Sequence, residues 1–155
     1  MVVKFGSPLF LYWDCVSICL MSNPSERTRF ITLVIGDIIC LAIITIVGFV
    51  RHGTLESGGL RILITFVPVV IAWYLVSPFL GVYDLKKAMN PRELWRPFWA
   101  MAVAGPLAAW LRGVWLNSAI LPIFVLVLTS FDSVALLVWR GIFLLTFNRS
   151  RHPYG

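Results

Sequence analysis

The fold is decided first by an apolar segment, residues 30–50, which reads FITLVIGDIICLAIITIVGFV. Asp37 is the only charged residue in this segment. An α-helix needs about 20 consecutive apolar residues to cross the hydrocarbon core of a bilayer. The segment therefore predicts a transmembrane helix that carries one acidic side chain in its cytoplasmic half.

Three further apolar segments follow, at residues 62–82, 95–111 and 119–138. The segment at 62–82 contains Pro68 and Pro78, and each proline predicts a kink because it removes a helical hydrogen bond. With four such segments and short connections, the sequence predicts an all-α, integral membrane four-helix bundle. Residues 21–155 are expected to form one transmembrane domain.

Composition leads to the same class. The 155 residues are 59% hydrophobic and 13% charged, whereas a soluble domain carries about 25% charged residues. The net charge of +6 comes from short loops between apolar segments, so it does not indicate a nucleic-acid partner. Three cysteines without metal-ligand spacing predict neither a disulfide framework nor a metal site.

Residues 1–20 do not match this pattern. They contain an apolar stretch that is too short for a span and is interrupted by Asp14. From Met21 the sequence reads MSNPSERTR, which is typical of the polar start of a membrane protein. We expect translation to begin at Met21; the alternative for residues 1–20 is an interfacial helix.

The distribution of basic residues predicts both termini in the cytoplasm. Four spans place the amino-terminal tail, the second loop and the carboxyl-terminal tail on one side of the plasma membrane. Basic residues concentrate on the cytoplasmic side of membrane proteins. The richer side holds Arg27, Arg29, Lys86, Lys87, Arg92, Arg96, Arg149 and Arg151, against Arg51, Arg61 and Arg112 on the other.

Polar residues inside the spans are the first candidates for function. Asp37 and Asp132 each lie about two helical turns in from the cytoplasmic boundary, and Arg140 follows Asp132 by eight positions on a similar helix face. Because a charge inside a membrane needs a partner, we expect an intramembrane cluster of Asp37, Asp132 and Arg140. It serves either as an interhelical link, which we favour, or as a proton or ion relay.

Other polar residues predict contacts at the membrane surfaces. His52 and Arg112 lie near the outer boundary, where they are candidates for a pigment or a lipid headgroup, although an interfacial His satisfied by loop carbonyls is the more ordinary interpretation. Asn90, Pro91 and Glu93 form a helix-start pattern. The basic residues of the second loop would attract anionic lipid, or simply fix the topology: Lys86, Lys87, Arg92 and Arg96.

Short motifs along the chain resemble a known family. In chain order they are GD at 36–37, RHG at 51–53, FLGVY at 79–83, RELW at 92–95, GPL at 105–107, LR at 111–112, FVLV at 124–127 and WR at 139–140. This order is similar to the bacterial and archaeal membrane family catalogued as domain of unknown function 3054. The resemblance implies four transmembrane helices and no established activity, with the pattern concentrated at Asp37, His52, Arg112 and Trp139–Arg140.

The sequence contains no recognised catalytic, cofactor or metal-binding motif. We therefore expect a non-enzymatic accessory or structural subunit of a larger membrane complex; an energy-transducing or pigment-bearing complex is one candidate host, although no motif names it. Its partners would be membrane lipids and other membrane subunits, and small residues were expected to pack against them: Gly36, Ala104, Gly105, Ala108 and Ala109. The alternative is a proton- or ion-coupled transporter that uses the Asp/Arg cluster; a lipid-modifying enzyme ranks third.

The expected start at Met21 has a direct test. Intact mass of the protein isolated from its natural source should correspond to a chain that begins at Met21. A mass that includes residues 1–20 would contradict the expectation and would assign that segment to the membrane surface.

Overall fold

The computed structural model describes residues 24–51, 59–117, 119 and 121–149, apart from the side chains of Asn148 and Arg149. Throughout these residues the chain forms helices and no strands, which confirms the all-α prediction. The predictions for residues 1–20 and for His52 fall outside the described residues.

Four long helices and several short ones make up this part of the chain. The long helices span about 27 to 42 Å at 1.5 Å per residue, enough to match a bilayer core of about 30 Å. In chain order the elements are α1 (Pro24–Arg51), α2 (Gly59–Val76), a 3-10 turn (Ser77–Leu80), α3 (Leu85–Ala88), a second 3-10 turn (Pro91–Glu93), α4 (Trp95–Leu116) and α5 (Pro122–Arg149).

The four long helices pack in a closed ring around one core. Helix α1 contacts α2 and α5, and α4 contacts the same two helices from the other side. The centre of the ring is filled by fully buried side chains from all four helices, among them Leu41, Val69, Trp73, Met101 and Leu136. The core therefore forms only when all four helices are assembled.

Apolar side chains also cover the outside of the ring. Along α1, Ile31, Ile35, Ile39 and Ile43 recur at every fourth position and are each about half exposed. The helical stretches Pro24–Arg51, Gly59–Leu80 and Pro122–Phe147 are long and apolar enough to cross a membrane. This apolar exterior is expected of a multi-pass membrane protein, in which lipid covers it.

Helix α4 is less apolar over any span-length stretch than the other three long helices. It carries Arg96 in its first turn and Arg112 near its end, and it is not among the three stretches that meet the length and hydropathy required of a span. The four transmembrane helices expected from the sequence are therefore matched by three clear spans and one long helix packed with them.

Two helices, α4 and α5, continue several residues beyond their predicted carboxyl-terminal ends. Helix α4 was expected to end at residue 111 but continues to Leu116, because Arg112 stays within the bundle: its Nε donates to Thr65 Oγ1 at 3.2 Å and its guanidinium lies 5.0 Å from the Phe124 ring centre. Helix α5 was expected to end at residue 138 but continues to Arg149. It passes through Arg140, which is buried and paired.

Small residues bring the helices into close contact inside the chain. A Cβ at Gly36 would overlap the Trp139 indole, and a Cβ at Gly105 would overlap the Thr129 side chain. Ala104, Ala108 and Ala109 are also buried. These residues were expected to pack against partner proteins; instead they are used within the bundle, because the α1–α5 and α4–α5 contacts leave no room for a larger side chain.

The Gly36–Trp139 contact predicts that alanine substitution will change stability differently at two glycines of α1. Gly36→Ala should lower the free energy of unfolding by about 1–3 kcal/mol, because the indole must move to admit a methyl group. Gly48→Ala is the matched control, since nothing lies within 4 Å of a Cβ at Gly48. Because alanine has a better helix propensity than glycine, Gly48→Ala should leave the free energy of unfolding unchanged or slightly higher.

Unfolding in mixed detergent micelles, followed by tryptophan fluorescence, measures both variants. Equal stability of Gly36→Ala and Gly48→Ala would contradict the packing of Trp139 on Gly36.

Candidate functional site

Asp37, in α1, has a fully buried carboxylate inside the bundle. One of its oxygens, Oδ2, accepts three hydrogen bonds: from Arg140 Nη2 at 2.7 Å, from the Tyr83 hydroxyl at 2.9 Å and from Trp73 Nε1 at 3.3 Å. We refer to Asp37, Trp73, Tyr83 and Arg140 as the Asp37 network. One oxygen of the carboxylate therefore accepts from an ion-pair partner and from two neutral donors.

The donors of the network are themselves held in place. Trp73 Nε1 also donates to the Tyr83 oxygen at 2.8 Å, so Tyr83 accepts from the indole while its own hydroxyl donates to Asp37. The second guanidinium nitrogen of Arg140, Nη1, donates to the carbonyl of Val82 at 3.1 Å. The network therefore connects α1, α2, the segment after α2, and α5.

Tyr83 is positioned by a second aromatic residue. Its ring stacks on Tyr74, with centroids 5.7 Å apart and planes at 10°, and the Tyr74 hydroxyl donates to the carbonyl of Val34 at 2.9 Å. The Arg140 guanidinium lies 5.6 Å from the centre of the Tyr83 ring. Tyr83 thus has little freedom to leave Asp37.

A tight reversal of the chain after α2 brings Val82 and Tyr83 to this site. The α-helix changes to a 3-10 turn at Ser77, next to Pro78, and ends at Gly81 with φ 64°. The N–H of Gly81 donates to the Pro78 carbonyl at 2.9 Å and that of Val82 to the Ser77 carbonyl at 3.1 Å. Glycine suits this left-handed position because it has no Cβ.

Asp132 does not join the pair. The structure brings Asp37 and Arg140 together, but neither carboxylate oxygen of Asp132 has a hydrogen-bond partner among the described residues, although the side chain is fully buried. Asp132 lies eight residues before Arg140 on α5, a rise of about 12 Å, and the buried Leu136 occupies the turn between them. Both terminal nitrogens of Arg140 are already hydrogen-bonded, to Asp37 and to the Val82 carbonyl.

Several buried polar atoms of the network and of α5 have no partner in the described part of the chain. They include Asp37 Oδ1, Arg140 Nε, Trp139 Nε1 and Thr129 Oγ1, together with both oxygens of Asp132. Buried polar atoms usually bind each other or ordered water.

The described residues contain no group of three His, Cys, Asp or Glu side chains close enough to hold a metal ion. Asp37 supplies one carboxylate, and its charge is balanced by Arg140. What this arrangement does chemically is hold a buried charge pair and join helices.

The four basic residues of the second loop divide into two pairs. Lys86 and Arg92 are exposed, and among the described residues their side chains have no partner. Their backbone N–H groups donate to Asp84 Oδ1 and Asn90 Oδ1, which cap α3 and the second 3-10 turn. Lys87 pairs with Asp84 at 3.1 Å. Arg96 pairs with Glu93 and donates from Nη1 to the Leu80 carbonyl at 2.7 Å.

Asp84 is charged in this setting. Partial burial acts to raise its pKa, but hydrogen bonds from the Lys87 side chain and the Lys86 backbone, with the Lys87 charge, outweigh that effect and hold the pKa below its ordinary value. The carboxylates of Asp84 and Glu93 thus bind Lys87 and Arg96, and both basic side chains lie beside Gly81.

Arg112, proposed as a headgroup or pigment contact, takes no part in the Asp37 network. It binds Thr65 and Phe124 instead.

Two members of the network were not identified in the sequence. Trp73 and Tyr83 supply the neutral donors, yet each resembles an ordinary membrane aromatic. The available signal was the position of Trp73, which lies well inside its apolar segment, whereas Trp95 and Trp110 lie near segment ends. A tryptophan away from the interface needs an acceptor for its N–H.

The ion pair predicts strong coupling between two residues that are distant in sequence. Asp37→Asn or Arg140→Gln should each cost about 3–5 kcal/mol, since each leaves a buried charge without its partner. The double variant should cost much less than the sum. The measurement is a double-mutant cycle from unfolding in mixed micelles.

Asp84→Asn is the control, because its pair with Lys87 is partly exposed and worth at most about 1 kcal/mol. Strictly additive losses at Asp37 and Arg140 would show that the pair is not coupled.

Comparison with known proteins gives one match. A family model described as "Protein of unknown function (DUF3054)" matches residues 34–143, which contain every member of the Asp37 network. No curated protein and no solved structure matches the chain. Because the family model covers well over half of the chain, and agrees with the resemblance seen in the motifs, the chain belongs to the DUF3054 family.

Proposed function

We propose that the protein is a non-enzymatic, four-span plasma-membrane protein that serves as a small accessory or structural subunit of a larger membrane complex. The main support for this proposal is that Asp37 Oδ2 accepts hydrogen bonds from three donors. These bonds link α1 to α2, to residues 81–94 between α2 and α4, and to α5. A carboxylate held by so many structural partners acts as an interhelical link.

The proposed topology includes α4 as the fourth span and places both termini in the cytoplasm. With 22 residues, α4 is about 33 Å long, which matches a bilayer core. Its two arginines do not oppose insertion: Arg96 is bound to Glu93 and Leu80 at one end, and Arg112 to Thr65 at the other. Long basic side chains near helix ends reach the interface or a local partner.

The exterior supports an accessory role. The apolar ridge of α1, formed by Ile31, Ile35, Ile39 and Ile43, is uninterrupted by any polar residue. Such a ridge suits close contact with lipid chains or with a neighbouring membrane helix. Because the small residues are used inside the bundle, a partner would pack on β-branched ridges of this kind.

The subunit proposal is tested in the native membrane. Tagged protein purified in mild detergent should co-purify with stoichiometric membrane partners, as shown by native mass analysis. Ile39→Asn, a polar change in the α1 ridge, should reduce that co-purification while the monomer stays folded. Ile71→Asn is the control: it is also about half exposed but lies on α2. Purification of the wild-type protein alone would contradict the proposal.

One observation favours a second function, proton-coupled transport. Asp132 lies near the middle of α5, is fully buried, and has no hydrogen-bond partner for either oxygen among the described residues. A carboxyl group without partners inside a membrane is a candidate carrier of an exchangeable proton.

Transport is tested by proton flux into liposomes containing the purified protein, read with an internal pH dye. If Asp132 carries the proton, Asp132→Asn should abolish flux with the bundle intact, whereas Ser133→Ala, a change at the adjacent buried residue, should not. Flux that survives Asp132→Asn, or no flux from the wild-type protein, would remove this function.

A further inference from the structure

We propose that a pocket between the 81–94 connection and the start of α4 binds the phosphate group of an anionic lipid headgroup. We call it the loop pocket; its lining includes Gly81, Lys87, Glu93, Arg96 and Arg140. The inference concerns a different site from Asp132, and it holds whether the chain acts as a subunit or a transporter.

The loop pocket is shallow and reaches the buried pair. Its volume is about 270 Å³, counted with its open mouth, and its enclosed part has room for about one water molecule. Arg140, which is 2% exposed, is among the lining residues. One oxygen of a phosphate would therefore enter towards Arg140, while the rest of the group stays at the mouth.

The donors around the pocket exceed its acceptors. Arg140 uses Nη1 on Val82 and Nη2 on Asp37, but its Nε has no partner among the described residues. Lys87 has three N–H donors and pairs with one carboxylate. A Cβ at Gly81 would lie 3.1 Å from Lys87 Nζ and 3.8 Å from Arg96 Nη1, so both cationic groups lie beside the same backbone position.

Charge favours an anion. The lining holds three positive side chains, Lys87, Arg96 and Arg140, against one negative side chain, Glu93. Asp37 and Asp84 partly neutralise the lining from outside it. The Lys87–Asp84 pair is weak because both side chains are about two-fifths exposed, so Lys87 can turn to a ligand at little cost. A phosphate, which offers only acceptors, matches this set.

The surroundings of the pocket indicate that the phosphate belongs to a lipid. Trp95, Phe98 and Trp99 are exposed on the first two turns of α4, beside Arg96 and Pro97 of the lining. Exposed aromatic side chains at a helix end are typical of the headgroup level. A lipid whose phosphate sits in the pocket would lay its acyl chains along the apolar exterior of α4.

The full-length protein, delipidated in mild detergent, is titrated with dioctanoyl phosphatidic acid, with phosphatidylcholine of the same chain length and with sodium phosphate. Binding is measured by native mass spectrometry. We expect phosphatidic acid to bind more tightly than phosphatidylcholine. Lys87→Gln should weaken that binding about 10-fold, as expected for the loss of one charge-assisted hydrogen bond.

Lys86→Gln is the matched control. It removes the same charge from the same short helix, but Lys86 is exposed and does not line the pocket. We expect its effect to be at most about 2-fold. Lys87→Arg keeps the charge and should retain most of the affinity, which separates loss of binding from loss of folding. A second pair of variants repeats this comparison. Arg96→Gln changes a lining residue and should weaken binding, whereas Arg92→Gln changes an exposed residue outside the lining and should have little effect.

The outcomes are distinct. Equal effects of Lys86→Gln and Lys87→Gln would show diffuse attraction to the loop and overturn the proposal. Equal binding of phosphatidylcholine and phosphatidic acid, or no binding of any probe, would overturn it as well. Binding of sodium phosphate that is as tight as that of phosphatidic acid, with the same sensitivity at Lys87, would uphold the phosphate site but assign it to free phosphate.

Discussion

The rest of the structure depends on the charge balance between Asp37 and Arg140. The two residues are 103 positions apart, in the first and last helices, and both are buried where an uncompensated charge is costly. Their pairing requires α1 and α5 to lie side by side, aligned so that Arg140 is level with Asp37. Gly36 permits this approach, because the adjacent Trp139 indole occupies the space that a side chain would need.

The same pair explains the shape of the connection between α2 and α4. Arg140 has more donors than Asp37 can accept, and the Val82 carbonyl takes one of them. The left-handed Gly81 turns the chain so that Val82 and Tyr83 reach the network, and Arg96 fixes the end of the preceding turn through Leu80. The loop is thus part of the buried network, and the loop pocket is lined in part by Arg140, which pairs with Asp37 of α1.

Two aspartates in similar sequence settings have different surroundings. Asp37 is held by three donors from three other elements, whereas Asp132 has none among the described residues. The first carboxylate has a structural explanation in the fold and the second does not. Membership of the DUF3054 family places the whole Asp37 network within the matched residues and leaves the biological process open to the experiments above.

Apolar segments of span length, few charges and basic loops already require an all-helical chain with a lipid-covered exterior. The sequence also identified Asp37, since an ionisable residue in such a segment needs a partner, and Arg140, from its helical spacing after Asp132. Which partners these two residues bind depends on the packing of the helices. Helix periodicity placed Asp132 on the same face as Arg140, but it could not show that the arginine turns to α1, or that Trp73 and Tyr83 complete the site. Those contacts depend on how α1, α2 and α5 are arranged around one another, and close packing between helices is not encoded in the pattern of any single one.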